Sequence, residues 1–214
     1  TLRVTAPTQF GRLHIGPALP GFLDRYPEVA VELVLLDRVV DLVEEGIDVG
    51  LRIGPLSASS LVAIRLGQVR RVVVGAPALL ERQGVPATPP DLASYQLIVP
   101  TSLSSGETWR FVDPAKGDRP ITVKLTSRLK TSQPEVAIDA AIAGFGLTRV
   151  PIYQVALPLA RGSLRIVLDA FEEPPVPVSL ITVEGRRSAA KVRAFIDHVA
   201  PELRAALRDL PGGD

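Results

Sequence analysis

Residues 29–54, VAVELVLLDRVVDLVEEGIDVGLRIG, decide the fold class of this chain. Val29–Leu36 is a nearly continuous apolar run, which is typical of a strand buried on both faces. Asp37–Glu45 is an amphipathic segment, and Gly46 follows as a natural helix stop. Ile47–Ile53 is another apolar run. This alternation predicts an α/β fold with mostly parallel sheets flanked by helices.

The alternation continues on both sides of this stretch. Further predicted strands are Leu2–Ala6, two short runs within Ala63–Ala76, Leu97–Val99, an antiparallel pair formed by Trp109–Val112 and Ile121–Leu125, Gly146–Pro151 and Val176–Val183. A short helix is predicted over Ala78–Gln83 and a longer one over Ser188–Leu210. The long helix places Val192, Phe195, Ile196, Val199, Leu203 and Leu207 on one face, and Pro201 is expected to divide it.

The predicted helix over Phe10–Tyr26 contains Gly16, Pro17, Pro20 and Gly21. Because an interior proline costs a helix roughly 3 kcal/mol, we expect this helix to be kinked or broken. Its expected inward-facing side chains are Phe10, Leu13, Leu19, Phe22 and Leu23. A separate capping box predicts that Ser132 is the N-cap of a helix, with Glu135 three residues on.

Composition narrows the possible chemistry. The chain lacks cysteine and has two histidines, His14 and His198, so we predict no metal site, no cofactor and no enzymatic activity. We expect His14 on a helix surface and His198 on the terminal helix. The net charge is +1 with both signs interspersed, and we interpret the pairs Arg70–Arg71 and Arg186–Arg187 as solvated surface. We therefore expect that this chain does not itself bind DNA.

The chain begins with Thr1 and contains no methionine, from which we expect a processed chain or an excised fragment. No signal peptide opens the sequence, and no apolar run is long enough to span a membrane.

Four stretches, in order along the chain, carry a family resemblance: Phe22–Val29, Asp41–Gly54, Ala143–Pro151, and Pro175–Ser179 followed by Ser188–Asp197. Together they resemble the effector-binding domain of LysR-type transcriptional regulators. Ala58 departs from the family pattern, since aspartate is common there, and Thr131–Ser132 stands where many relatives carry asparagine. Effector identity therefore cannot be carried over.

The resemblance implies a two-lobed fold like that of type 2 periplasmic binding proteins, with two crossover strands. We expect the crossings near Val73–Gly75 and Pro177–Ser179, with residues 1–74 and 178–214 forming lobe I and residues 75–177 forming lobe II. It also implies a bacterial, cytoplasmic regulator whose N-terminal winged helix-turn-helix domain lies outside this chain.

Ligands of open α/β sheets collect beyond the carboxyl ends of parallel strands, where helix N-termini present N–H groups suited to anions. The resemblance extends ligand contact to such strand ends, and we predict a small, anionic effector bound between the lobes. The predicted contacts are Thr8, Gln9, Phe10, Arg52, Gly54, Thr101, Ser102, Thr131, Ser132, Gln133 and Arg149.

Structural roles compete with these assignments. A threonine or serine after a strand is often an N-cap, and Arg52 could pair instead with Asp37, Asp41 or Asp48. For Arg149 and for Trp109, the only tryptophan, we favour structural roles, an ion pair and core packing respectively.

The family also implies a homo-oligomer with symmetric, antiparallel pairing. Segments Phe10–Tyr26 and Ala30–Leu36 of one subunit would meet Ser132–Phe145 of the other. The main alternative is a solute-binding protein of a transporter, which would require a secretion signal, and a second is an enzyme on the same scaffold.

Overall fold

The computed structural model describes residues 1–56, 61–103, 108–186 and 189–212. The chain divides into two compact units. Unit 1 comprises Thr1–Val69 and Val176–Asp214, and unit 2 comprises Arg70–Pro175. The boundaries expected from sequence fell at residues 74/75 and 177/178. The strand Arg71–Gly75 belongs to unit 2, because it pairs with two strands of that unit.

Unit 1 contains a five-stranded mixed sheet among the described residues. Its strands are β1 (Leu2–Ala6), β2 (Val31–Leu35), β3 (Val49–Ile53), β4 (Leu61–Val69) and β12 (Val176–Val183). In the order β2-β1-β3-β12-β4, the first three strands are parallel, whereas β12 runs antiparallel to both β3 and β4. Mostly parallel sheets were predicted, and parallel strands are present in this sheet. They are confined to the three strands joined by helical or turn connections.

The segment after β1 is helical but irregular, as the glycines and prolines predicted. It runs through α1 (Thr8–Phe10), a π-helical turn (Gly11–Ile15), a 3-10 turn (Gly16–Ala18) and α2 (Leu19–Arg25). Phe10 and Phe22 are fully buried, but Leu13 and Leu23 are each 36% exposed, so their predicted inward orientation is wrong. The π turn inserts an extra residue and rotates the buried face, so that Ile15 and Ala18 are buried instead.

The amphipathic segment Asp37–Glu45 does not form the predicted helix. Asp41 accepts hydrogen bonds from the Val43 and Glu44 N–H groups, and Arg38 forms an ion pair with Glu45. An aspartate that bonds the backbone two and three residues on favours a local turn over helix continuation. The segment is therefore a loop with turns, and Gly46 closes it with a φ of +66°.

The terminal helix α6 (Ala190–Arg208) confirms its predicted face, with Val192, Phe195, Ile196, Val199, Leu203 and Leu207 all buried. Phe195 packs edge-on against Phe22 at 5.4 Å between ring centroids. Pro201 lies inside the helix and does not divide it, contrary to the prediction. The expected start at Ser188 lies outside the described residues.

Unit 2 contains a second five-stranded sheet in its described part, in the order β11-β5-β10-β6-β9. The strands are β5 (Arg71–Gly75), β6 (Leu97–Pro100), β9 (Ser127–Thr131), β10 (Leu147–Pro151) and β11 (Arg165–Val167). Strands β10, β6 and β9 are parallel, and β5 is antiparallel to β10 and β11. Neither β9 nor β11 was predicted.

A hairpin of β7 (Thr108–Asp113) and β8 (Arg119–Lys124) forms the predicted antiparallel pair of unit 2. The helices of this unit are α3 (Pro77–Gln83), α4 (Pro134–Ile142) and α5 (Ala156–Ala160), with 3-10 turns at Pro89–Ser94, Pro114–Lys116, Ile152–Gln154 and Asp169–Phe171. The hairpin contributes Trp109 and Phe111 to the unit's core, where both are buried. Core packing of Trp109 is thus confirmed.

Candidate functional site

In unit 1, the predicted site residues lie where parallel strands β1 and β3 end. Thr5, near the end of β1, is paired with Gly50, near the start of β3, so β3 continues past the end of β1 to Ile53. A cavity of about 140 Å³ opens at this edge and is lined in part by Pro7, Asp37 and Arg52. The backbone N–H of Thr8 donates to Asp37 Oδ1 at 2.9 Å. The N–H group that was expected to be exposed to a ligand is therefore occupied by Asp37.

The next two residues of the predicted site are buried. Gln9 is 7% exposed, and its Oε1 atom has no hydrogen-bond partner within the described ranges. Phe10 is fully buried and contacts His14, with 4.7 Å between ring centroids. His14 is thus half-buried rather than at the helix surface, and burial lowers its pKa below 6.5.

Arg52 and Gly54 lie at the end of β3. The three aspartates considered as structural partners of Arg52 are engaged elsewhere: Asp37 with Thr8, Asp41 with Val43 and Glu44, and Asp48 with Lys191 and the Arg3 N–H. Within the described residues, Arg52 forms no ion pair. Gly54 has a φ of +121°, and its N–H donates to the Pro177 carbonyl at 2.8 Å.

In unit 2, the structure brings most of the predicted residues together at the ends of β6 and β9. Pro100 is the strand partner of Thr131. The Thr101 N–H and hydroxyl both donate to the Thr131 carbonyl, at 2.7 and 3.2 Å. Ser102 follows, and its buried Oγ has no hydrogen-bond partner in the described part of the chain. This strand end therefore combines a satisfied pair of threonines with an unsatisfied serine.

The helix after β9 begins one residue later than the capping box predicted. Its N-cap is Gln133, Pro134 occupies the first turn, and Ser132 is exposed. The Thr131 hydroxyl accepts from the Gln133 N–H at 3.1 Å. Because proline is favoured at the first helical position, Pro134 displaces the cap from Ser132 to Gln133.

Arg149 of β10 contacts other residues than these threonines, namely Glu173 and Phe111. Its side chain is 8% exposed, and its Nη2 donates to Glu173 Oε2 at 3.0 Å. The guanidinium carbon lies 5.1 Å from the Phe111 ring centroid. The Nε atom is buried and has no hydrogen-bond partner among the residues that the structure describes, and burial lowers the pKa of Arg149 despite the opposing effect of Glu173. The predicted ion pair of Arg149 is present, but it is incomplete.

Arg149 lines a cavity of about 150 Å³. Its other charged lining residues are Arg71, Arg110 and Glu173, and Trp109 also contributes. No group of three or more histidine, aspartate or glutamate side chains that could hold a metal ion occurs in the described part of the chain. Nor is any described helix both long and apolar enough to cross a membrane.

A family model described as the LysR substrate binding domain matches residues 1–204. The chain belongs to this family. HTH-type transcriptional regulator PgrR of Escherichia coli K12 is 31% identical to this LysR substrate-binding domain over 204 residues, which cover 93% of the chain and 67% of PgrR. Across the first relatives, the chain spans about two thirds of the relative's length.

Solved structures agree with this assignment. The regulatory domain of CrgA from Neisseria meningitidis has a TM-score of 0.80 and 26% identity, covering 94% of this chain and 98% of CrgA's domain. Full-length AphB of Vibrio cholerae, a virulence activator, has a TM-score of 0.80 and 27% identity, with 94% of this chain and 67% of AphB covered. The predicted two-lobed, periplasmic-binding-protein-like fold is therefore confirmed. These relatives are regulators and give no support to the transporter alternative.

The sequence did not reveal the charged partners of Arg149 in this LysR domain. Arg70 and Arg71 were interpreted together as solvated surface, but Arg70 is half-buried and forms an ion pair with Glu172. Only Arg71 is exposed, at the cavity. The sequence offered one signal for these ion pairs, the adjacent acids Glu172 and Glu173. It could not show which arginines they pair with, because the fold brings the partners together. The second basic pair includes Arg187, which lies outside the described residues.

Proposed function

We propose that this LysR substrate-binding domain is the effector-sensing part of a bacterial, cytoplasmic transcription regulator. The observation that carries the proposal is the family match over residues 1–204, together with near-complete mutual coverage with the CrgA regulatory domain. DNA binding belongs in this proposal to an N-terminal winged helix-turn-helix domain encoded upstream. No catalytic step, cofactor or metal is part of it.

The proposed effector is a small anion that contacts both units, as the resemblance implies. The residues proposed to contact it are Thr8, Gln9, Phe10, Arg52, Gly54, Thr101, Ser102, Thr131, Ser132, Gln133 and Arg149. Two of them support this, because Ser102 Oγ and Arg149 Nε are buried donors that have no hydrogen-bond partner among the described residues, and both can donate to an anion. Each such atom costs about 1–3 kcal/mol, and a ligand that bonds to it recovers that cost.

Effector binding would act by shifting a conformational equilibrium. A ligand that binds one arrangement of the domain more tightly than another raises the population of that arrangement, by no more than its differential affinity. The proposed consequence is a change in DNA binding by the attached domains. Whether that change activates or represses transcription is a property of the full-length protein and its operator.

We also propose a symmetric homodimer, in which Phe10–Tyr26 and Ala30–Leu36 of one subunit meet Ser132–Phe145 of the other. Exposed apolar side chains on both proposed surfaces support it: Leu13, Leu23, Val136, Ile142 and Phe145. Sedimentation should detect a dimer that Phe145→Glu weakens. Leu157→Glu, at an exposed position outside both surfaces, is the matched control. A strict monomer at high concentration would contradict the pairing.

The effector proposal is tested by a thermal-shift screen of small carboxylates and aromatic acids. A ligand at about one hundred times its Kd should stabilise the chain by about 2.7 kcal/mol. Thr8→Ala and Gln133→Ala should abolish the shift, whereas Thr122→Ala, at an exposed position on the hairpin, should preserve it. If the shift persists in both site variants, these residues do not contact the ligand.

The regulatory part of the proposal requires the full-length protein. Its binding to the DNA upstream of its own gene should be measured by mobility shift, with and without the ligand found in the screen. Sequence-specific binding that changes with the ligand is expected. A full-length protein that carries a secretion signal and no DNA-binding domain would refute the regulatory role.

A further inference from the structure

The cavity of unit 2 has a strongly positive lining. Arg71, Arg110 and Arg149 contribute three positive charges, and Glu173 is the single acid among its described lining residues. Arg149 and Arg71 lie on the same face of the sheet, because Pro151 pairs with Arg71 and Arg149 lies two residues before Pro151. Like charges held this close repel one another, so an anion bound here is stabilised by all three.

The buried guanidinium of Arg149 has an unused hydrogen-bonding edge. Nε and Nη2 together form the side of a guanidinium that receives the two oxygens of a carboxylate in parallel. Glu173 accepts from Nη2 at 3.0 Å, and no other described residue forms a hydrogen bond with Nε. Glu173 is 35% exposed, whereas Arg149 is 8% exposed, so the acid can leave for solvent while the arginine stays in place.

We propose that this cavity is a carboxylate-binding site, in which the carboxylate of a small molecule bonds side-on to Nε and Nη2 of Arg149 and replaces Glu173. Arg71 and Arg110 supply the surrounding positive charge. The residues that line the cavity all belong to unit 2, and Thr101 and Thr131 are not among them. The inference rests on the proposed function only in treating the bound carboxylate as an effector.

Two features of the cavity suit a small organic acid rather than an inorganic ion. Its volume of about 150 Å³ exceeds that needed for a carboxylate group alone. Trp109 supplies an aromatic wall beside the arginines. A planar carboxylate matches the guanidinium edge in geometry, whereas a tetrahedral anion presents its oxygens at other angles.

Trp109 gives a direct readout, because it is the only tryptophan in the chain and lines the cavity. Sodium propionate should be titrated into the isolated chain at constant ionic strength, with sodium chloride as the reference, while the indole N–H resonance is followed by NMR. We expect a saturable shift with a Kd of about 1–10 mM, as suits a ligand of so few atoms. No saturable shift, or the same shift with chloride, would overturn the proposal.

Three variants sharpen the test. Arg149→Lys keeps the charge but removes the two-pronged edge, and it should weaken propionate binding at least about tenfold. Glu173→Gln removes the competing charge, and it should tighten binding about tenfold. Arg70→Lys makes the same change at a neighbouring arginine that does not line the cavity, and it should leave the Kd within about twofold.

Each variant can contradict the proposal independently. Unchanged propionate binding in Arg149→Lys, or weaker binding in Glu173→Gln, would refute the side-on contact. If Arg149→Lys fails to fold, Glu173→Gln still tests the proposal. Equal affinity for sodium phosphate would refute a site selective for carboxylates. None of these results bears on DNA binding by the full-length protein, so failure here is distinguishable from failure of the regulatory proposal.

Discussion

Two arginine–glutamate pairs of unit 2 use the same residue types in different ways. Arg70 bonds Glu172 through Nε and Nη2, each at 2.8 Å, whereas Arg149 bonds Glu173 through Nη2 alone, at 3.0 Å. The glutamates are adjacent in sequence. One pair is complete, and the other leaves Nε of Arg149, a residue that lines a cavity, without a hydrogen-bond partner among the described residues.

Burial alone would predict the opposite arrangement. Arg149 is the more buried arginine, with 8% of its side chain exposed against 24% for Arg70, so it has the greater need of a full partner. The pKa values shift accordingly: the hydrogen bonds that Arg70 donates to Glu172 raise the pKa of Arg70, and burial lowers the pKa of Arg149. Stability explains the first pair but not the second, and this difference is the basis of the proposed carboxylate site.

The largest expected effect comes from breaking the complete pair. Glu172→Gln removes a carboxylate that is only 10% exposed and leaves Arg70 without its counter-charge, and it should cost about 3 kcal/mol of unfolding free energy. Glu173→Gln should cost less than Glu172→Gln, because it removes one hydrogen bond rather than two and a carboxylate that is 35% exposed. Urea denaturation measures both. Equal costs would remove the distinction between the pairs.

The second prediction concerns the sign of the effect at the arginines. Arg149→Met removes an incompletely compensated buried charge and keeps a flexible side chain of similar length, so it should stabilise the chain by about 1 kcal/mol. It should also abolish propionate binding. Arg70→Met, by contrast, should destabilise the chain because it leaves Glu172 buried and unpaired. A destabilised Arg149→Met variant would mean that Arg149 is retained for stability.

The sequence predicted the main elements well because their signals are local. Apolar runs specified β1, β3, β6, β10 and β12, and helical spacing specified the buried face of α6. Where local patterns failed, nonlocal or competing interactions were responsible. The residue pattern of the loop after β2 predicts an amphipathic helix, but the Asp41 side chain accepts hydrogen bonds from the N–H groups of Val43 and Glu44 instead. Strand β9 alternates partly exposed residues and is held by pairing with β6, which no local pattern reveals.

The candidate site was predictable only as a set of strand ends. Parallel pairing brings Thr101 to Thr131, as expected from the rule that ligands collect beyond carboxyl ends. The cavity at Arg149 was not predictable, because it depends on Glu173 and Arg110 reaching β10 from distant segments. Ala58, noted in the sequence as a departure from the family, lies outside the described residues.

The same contrast between a satisfied and an unsatisfied group gives a third, smaller prediction at the start of α4. Thr131→Ala removes the hydroxyl that accepts from the Gln133 N–H, and it should cost about 1 kcal/mol. Ser132→Ala should change stability by less than about 0.5 kcal/mol, because Ser132 is exposed and is not the cap. Thermal denaturation of both variants distinguishes this cap from the one that the sequence predicted.

The smallest expected effect on stability comes from His14. Burial lowers the pKa values of both His14 and Arg149, but only His14 changes its charge in the accessible pH range. Arg149 keeps its proton at any accessible pH, but His14, with a pKa below 6.5, loses its own. The unfolded chain therefore binds more protons than the folded chain just below pH 6.5. Stability should be full above that pH and should fall as the pH drops through the lowered pKa of the folded state.

His14→Gln should flatten this decline between about pH 7.5 and about pH 5.5, as measured by urea denaturation at each pH. His198→Gln serves as the histidine control. An equal decline of the unfolding free energy in the native chain and in His14→Gln would mean that other groups cause the acid sensitivity.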